Sequence, residues 1–201
     1  MDAIDDIKSE DKDRGGKVLL HTCCGPCSTS VLERLISEGY EPDVFYFNPN
    51  ITDPEEYEKR LENQRKVLNA FNLQGRREIE LIEGRYEPKE FYEAVRGLEA
   101  EPEGGRRCEV CFRLRLKETA KKAEELGYEL FDTSLSVSPH KNYALIKEIG
   151  SGSEGSKLRF LGIDYKKKDG FKRSTELSRE FGLYRQNYCG CEFSKWWLKE
   201  R

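Results

Sequence analysis

No stretch of this 201-residue chain approaches the roughly 20 consecutive apolar residues that a membrane-crossing helix needs. The opening residues MDAIDDIKSEDKD are acidic and lack the apolar run of a secretory signal. These absences argue against a membrane-spanning or exported protein. They predict a cytoplasmic one, where structural disulfides are rare. Internal repeats and low-complexity tracts are missing as well. So is any solitary cysteine. The seven cysteines fall in three tight groups: Cys23-Cys24-x-x-Cys27, Cys108-x-x-Cys111 and Cys189-x-Cys191. An odd number, all clustered, fits a thiolate site better than a disulfide scaffold.

Hydrophobic and charged residues each make up 36% of the chain, and ten Phe and ten Tyr supply bulk for a core. The length suits one compact domain. We therefore expect an acidic, flexible leader over 1–15 and a single α/β catalytic domain over 16–201. The net charge is −3, yet residues 157–201 hold twelve Lys/Arg against six acids. A basic C-terminal part on an acidic protein suggests contact with a polyanion.

Strand and helix patterns alternate. KVLLHT (17–22) reads as a buried strand running straight into the first cysteine group. A helix over 27–38 follows, with Val31, Leu32, Leu35 and Ile36 on one face and Gly39 closing it. VFYFN (44–48) predicts a second strand. Asp53 and Pro54 have the types of an N-cap and a first helical residue, and Tyr57, Leu61, Leu68 and Phe71 mark the buried face of that helix. EIELIE (78–83) predicts a third strand and 88–97 a short helix. The loop 99–107 delivers Cys108 and Cys111 to a long helix ending near Gly127, with Leu114, Ala120, Ala123 and Leu126 inward. ELFDTSL (129–135) predicts a fourth strand, Ser138-Pro139 a helix start and LRFLGI (158–163) a further strand. Ser174 is expected to cap a helix to 181, and SKWWLKER to form a C-terminal helix. Such βαβ units build a mostly parallel, Rossmann-like sheet with ligands beyond the carboxyl ends of its strands. The first cysteine group sits at such an end. Cys108 falls at a helix N-terminus, where free N–H groups favour a thiolate.

Clustered thiolates serve three chemistries. A [4Fe–4S] centre takes four, and C-x-x-C places two within reach. Zinc also takes four, usually from two C-x-x-C pairs in a small module, and adjacent cysteines diverge. Thiol exchange is the third. A Cys189–Cys191 ring is so short that its disulfide would be strained and easily reduced. The function classes are thus an iron–sulfur enzyme, a structural-zinc RNA-binding protein without catalysis, and a generic C-x-x-C thiol oxidoreductase. Ligands spread across a whole α/β domain favour the first. On spacing alone, Cys27 can replace Cys23 as a ligand.

Beside the last group, Tyr184-Arg185-Gln186-Asn187-Tyr188 mixes rings, a cation and amides, types that stack on bases and bind phosphates. Tyr184, Arg185 and Tyr188 are the substrate candidates. Lys166-Lys167-Lys168 and Lys172-Arg173 are exposed charge or phosphate contacts. His21, inside a strand, is expected to be a satisfied core imidazole and His140 a turn residue. Asn48-Pro49-Asn50 reads as a turn. Asp13, Asp132 and Asp164 are carboxylates available to a second metal; Asp164 is by default a solvated turn residue, with the rim of the site as its functional reading.

Six segments together resemble the QueH-type epoxyqueuosine reductases: LLHTCCGPCS (19–28), FYFNPNITDPEEYEKR (45–60), RCEVCFRLRL (107–116), DTSLSVSPHKN (132–142), IDYKKKDG (163–170) and YRQNYCGCEFS (184–194). They recur in family order and cover nearly everything after residue 16. The resemblance implies reduction of the epoxide of epoxyqueuosine to the alkene of queuosine, the last step of queuosine biosynthesis, at the wobble position of a tRNA anticodon. It implies a domain similar to that of PP-loop (HUP-type) tRNA-modifying enzymes, with a cysteine loop in place of the phosphate-binding loop. By family pattern Cys23, Cys24, Cys108 and Cys111 hold a [4Fe–4S] cluster. Cys189 and Cys191 are then the catalytic second element. They act either as a dithiol/disulfide couple or as ligands to an additional iron or other metal ion that polarises the epoxide oxygen; Cys27 is the least assigned of the seven, an optional further ligand to that ion. An external low-potential electron donor is implied; cobalamin is not expected.

Overall fold

The computed structural model describes residues 15–74 and 77–199. Residues 1–14, with Asp13 and nearly all of the expected leader, lie outside that range. Five strands form one sheet in the order β3-β2-β1-β4-β5: β1 (Lys17–His21), β2 (Glu41–Tyr46), β3 (Leu81–Glu83), β4 (Leu130–Thr133) and β5 (Arg159–Phe160). Every neighbouring pair is parallel, so the expected Rossmann-like α/β architecture is what forms. β1 takes the centre because Val18, Leu19 and Leu20 form a continuous apolar run that both faces can bury.

The helices are α1 (Gly25–Ser37), α2 (Pro54–Gln74), α3 (Pro88–Ala94), α4 (Arg106–Glu125), α5 (Tyr143–Ser151), α6 (Gly170–Glu180) and α7 (Glu192–Lys199). Alternate strand residues feed opposite faces of the sheet. Leu19 and Phe131 stand side by side in register and pack, with Phe45, under α4 and α5. Leu20 and Val44, also in register, pack under α1 and α2. Burying a side chain such as Phe131 stabilises the fold by about 2 kcal/mol.

Several expected boundaries shift, each for a local reason. β2 begins at Glu41 because Gly16 and Lys17 offer it partners. β3 shrinks to 81–83 because side chains take the earlier N–H groups: Asn72 accepts from Ile79 at 2.8 Å and Asp43 from Glu80 at 2.9 Å. β5 stops at Phe160, ahead of Gly162 in the left-handed region (φ +60°). α3 ends at Ala94, short of 97. The fourth strand ends at Thr133 and passes into a 3-10 turn, Ser134–Val137. No helix starts at Ser138, whose hydroxyl accepts from the His140 N–H to make a turn; Asn142 caps α5 instead. α6 starts at Gly170, ahead of Ser174, and the Ser174 hydroxyl donates back to the Phe171 carbonyl at 2.7 Å. Leu126, past the last turn of α4, is 51% exposed, and Ile36 is 44% exposed because Leu35 takes the buried place. The Asp53 cap forms as expected, accepting from the Glu55 and Glu56 N–H groups.

Candidate thiolate centre and substrate cleft

In a parallel sheet with returning helices, the strand carboxyl ends and the helix N-termini share one edge. That topology gathers the site. β1 ends in Cys23 and Cys24, and the first turn of α1 carries Cys27. The first turns of α4 carry Cys108 and Cys111, and the loop after β4 brings His140 and Lys141. Cys24 is the extended N-cap of α1. The glycine after it is required by packing: a Cβ on Gly25 would lie 2.7 Å from the Asn63 carbonyl oxygen of α2.

All seven cysteines are free thiols, so the disulfide considered for Cys189 and Cys191 is not seen. Cys23, Cys24 and Cys27 are linked by thiol hydrogen bonds. The bond with Cys24, then burial, raises the Cys23 thiol well above its ordinary pKa. The bond with Cys23 favours the Cys24 thiolate, but the bond to Cys27 and burial outweigh it and push Cys24 up to about 11. Cys27, accepting from Cys24, is lowered. Burial pushes Cys111 up to about 12 and Cys191 up to about 11, and raises Cys108, whose Sγ accepts from the Gly104 N–H at 3.2 Å.

Cys108, Cys111, Cys189 and Cys191 are near enough to act on one another electrostatically. Cys27 and Cys108 both pack against the apolar cluster that holds Cys23 and Cys24. The two thiol groups are thus neighbours, although among the described residues no three Cys, His, Asp or Glu side chains form a closed ligand cage.

Two cations, Arg115 and Lys141, lie among these thiols. Arg115 is fully buried, and its Nη1 and Nη2 have no hydrogen-bond partner. Its charge is met by Cys111, Cys189, Cys23 and Cys108. Burial acts to discharge Lys141, but Cys23, Cys189 and Cys27 outweigh it and raise its pKa, while Arg115 repels it. Two neighbouring like charges, Arg115 fully buried and Lys141 half-buried on the cleft wall, are costly unless an anion lies between them. A thiolate-ligated iron–sulfur centre is such an anion, so the donor set and its surroundings fit one.

A cleft of about 400 Å³ opens over this edge. Cys23, Cys27, Cys189, Lys141, Arg185 and Tyr188 line it, and Glu103 is the carboxylate on its wall. α2 clamps the segment that carries Cys189. Arg60, 1% exposed, donates to the carbonyls of Cys189 (3.0 Å) and Tyr188 (3.2 Å) and pairs with Glu56 at 2.6 Å. Asn63 exchanges two hydrogen bonds with the Tyr184 backbone.

The structure separates the three substrate candidates. Tyr188 and Arg185 line the cleft. The Tyr184 hydroxyl donates to Glu56 at 3.0 Å, and Lys59 lies over its ring, so it belongs to the α2 clamp. Asp132 is bonded to Tyr165 inside the sheet, and Asp164 holds the Lys166 N–H in a turn; neither lines the cleft, so Asp164 is not at the rim. His21 is the expected satisfied imidazole. Its Nε2–H donates to the Phe47 carbonyl, its Nδ1 accepts from the Thr133 hydroxyl, and burial keeps it neutral. Much of the expected free basic charge is engaged: Arg173 pairs with Glu33 and Lys168 with Glu38.

Arg60, Glu103, Arg115 and Lys141 were not singled out in the sequence. A signal existed for Arg115, which follows Cys111 by four residues and so shares its helix face.

The family described as epoxyqueuosine reductase QueH matches residues 18–196. A protein of Streptococcus pyogenes serotype M1 named epoxyqueuosine reductase QueH is 41% identical over 88% of this chain and 69% of its own length. One of the same name from Thermotoga maritima is 39% identical over 89% of this chain and 90% of its own. Another, from Staphylococcus epidermidis, is 40% identical over 89% and 76%. With the cysteine-lined edge and its cleft, this extent of match shows that the chain belongs to the QueH family of epoxyqueuosine reductases, which are oxidoreductases.

Proposed function

We propose that this protein reduces the epoxide of epoxyqueuosine to the alkene of queuosine at the wobble position of a tRNA. Cys23, Cys24, Cys108 and Cys111 hold a [4Fe–4S] centre, and Cys189 and Cys191 form a second redox or metal-binding element. One observation carries this reading: the buried Arg115 guanidinium, with both terminal nitrogens unbonded, and Lys141 on the cleft wall both lie among thiols from separate cysteine groups. When bound, the iron–sulfur centre supplies electrons one at a time, received from an external low-potential donor. The overall change consumes two electrons and two protons and releases water.

The residues of the chain divide the remaining work. Arg185 and Tyr188, on the cleft wall, hold the splayed-out base and its phosphate. Lys141 places a positive charge where the epoxide oxygen gains negative charge as its C–O bond opens. Cys189 lines the cleft beside Cys23 and Cys27, so Cys189 and Cys191 either supply both electrons and both protons as a dithiol that closes to a disulfide, later re-reduced by the external donor, or bind an additional metal ion that would polarise the oxygen. The polar 166–173 segment adds phosphate contacts where its lysines are not paired.

The test is anaerobic reconstitution with iron and sulfide, metal analysis, then incubation with epoxyqueuosine-containing tRNA and reductant, read by nucleoside mass spectrometry. Four irons per chain and queuosine in the digest are expected for the family's four-thiolate centre. Protein that binds one zinc, takes up no iron and still turns over would overturn the cluster. Cys189→Ala and Cys191→Ala are expected to keep the visible absorbance and lose turnover; loss of the absorbance instead would make both cysteines cluster ligands.

A further inference from the structure

We infer that Arg115 tunes the reduction potential of the thiolate centre, acting as a buried countercharge that favours its electron-richer state. This inference rests on the iron–sulfur reading above and extends it from the ligands to the residue that controls them.

Three observations carry it. First, α4 presents Cys111 and Arg115 one turn apart, and Arg115 Nε donates to the Cys111 carbonyl at 3.2 Å. The guanidinium is therefore held by the same helical turn that supplies a ligand. Second, the two terminal nitrogens are buried and unbonded. Of the other fully buried arginines, Arg60 has both terminal nitrogens on carbonyls and Nε on Glu56, while Arg107 places Nη1 on the carbonyls of Leu98, Glu99 and Glu101 and leaves Nη2 and Nε without a partner; Arg115 is the one with neither terminal nitrogen bonded. Third, the groups that act on the Arg115 charge are Cys111, Cys189, Cys23 and Cys108, which come from all three cysteine groups. An arginine needed only for packing would be better replaced by an apolar chain of its shape, since an uncompensated buried charge is strongly unfavourable. Its presence is favourable once the thiols carry negative charge.

The physical step is an electron added to the centre. No bond to Arg115 forms or breaks, and the guanidinium keeps its protons throughout. Each added electron strengthens the attraction, so the reduced state gains more than the oxidised one and the potential rises. Arg115 acts through the centre and is a positioning and tuning residue, not a catalytic one.

The experiment compares reconstituted wild type with Arg115→Met, Arg115→Gln and Arg115→Lys by potentiometric titration of the visible absorbance. At a fixed solution potential the Met and Gln variants are expected to raise the oxidised-to-reduced ratio about tenfold, which for one electron is about 59 mV. The Lys variant, keeping the charge, should stay within about threefold of wild type. Denaturation of the metal-free proteins gives a second readout: Arg115→Met should be no less stable than wild type, because it removes a fully buried charge held in that state by the Cys111 carbonyl and the Phe112 ring but by no anion within hydrogen-bond reach. If the Met variant does not fold, the Gln variant decides. Wild type that takes up no iron would sink the iron–sulfur reading itself. Wild type that loads normally while the charge-free variants keep its potential would sink only the role of Arg115.

Discussion

Arg60 donates from Nη1 to the carbonyl oxygen of Cys189 across 3.0 Å, joining residues 129 positions apart. The bond ties the C-x-C segment to α2, an element built from an ordinary amphipathic pattern. Through it the position of a candidate redox cysteine depends on a helix that carries no cysteine at all.

Arg60→Met should therefore act on both stability and chemistry. It leaves the buried Glu56 carboxylate without its countercharge, held by the Tyr184 hydroxyl alone, and releases the Tyr188 and Cys189 carbonyls. Breaking a buried pair in this way costs about 3 kcal/mol, readable as a lowered urea midpoint. Turnover should fall further than folded protein content, because the surviving fold no longer holds Cys189 in place.

Gly190, between the two cysteines, has φ +114°, and a Cβ there would lie 2.9 Å from Ile51 Cγ1 and 3.1 Å from Arg60 Nη1. Gly190→Ala should cost about 2–3 kcal/mol through strain and collision. Gly182→Ala is the control. It also has positive φ (+59°) but nothing within 4 Å, and should cost about 1 kcal/mol. Equal effects in thermal melts would show that the Gly190 contacts yield freely.

Asp132 predicts a pH dependence. Burial pushes its carboxyl up to about 7, against the stabilising N–H groups of Thr133 and Ile163 and the Tyr165 hydroxyl. With the folded pKa above the unfolded one, the native state binds more protons over that interval. Stability is then greatest below the unfolded pKa and falls as pH rises, levelling off above about 7. The slope approaches about 1.4 kcal/mol per pH unit for one proton. Asp132→Asn should flatten stability between pH 5 and 7, as read by denaturant melts at each pH. A slope unchanged from wild type would assign the dependence to another group.

Metal removal should leave the fold standing. The apolar packing around Leu20, Val31, Leu32, Val44 and Val67 involves no cysteine. Chelated protein is expected to keep its far-UV circular dichroism while its melting temperature drops, as for any ligand that binds only the native state. Complete unfolding on chelation, the behaviour of small zinc modules, would instead favour a structural-zinc role.

Some of this was legible from residue types in order. Asp53-Pro54 announces a helix start because capping is local. His21 declares itself by sitting in an apolar strand. Strand lengths were less legible. The 78–80 stretch has the right pattern, but Asn72 and Asp43 take its N–H groups, and those partners come from elsewhere in the chain. Tyr184 and Tyr188 look alike in sequence, and only a folded α2 turns one onto Glu56 and leaves the other on the cleft.

The sequence alone determined the alternation of strands and helices and the grouping of all seven cysteines, because periodicity and spacing are properties of the chain itself. The tertiary structure decided the rest of the site. A parallel sheet brings the end of β1, the first turn of α4 and the C-x-C segment to one edge. Only there does Arg115 become a buried charge facing thiols, with Lys141 beside them on the cleft wall, since burial arises when distant segments meet.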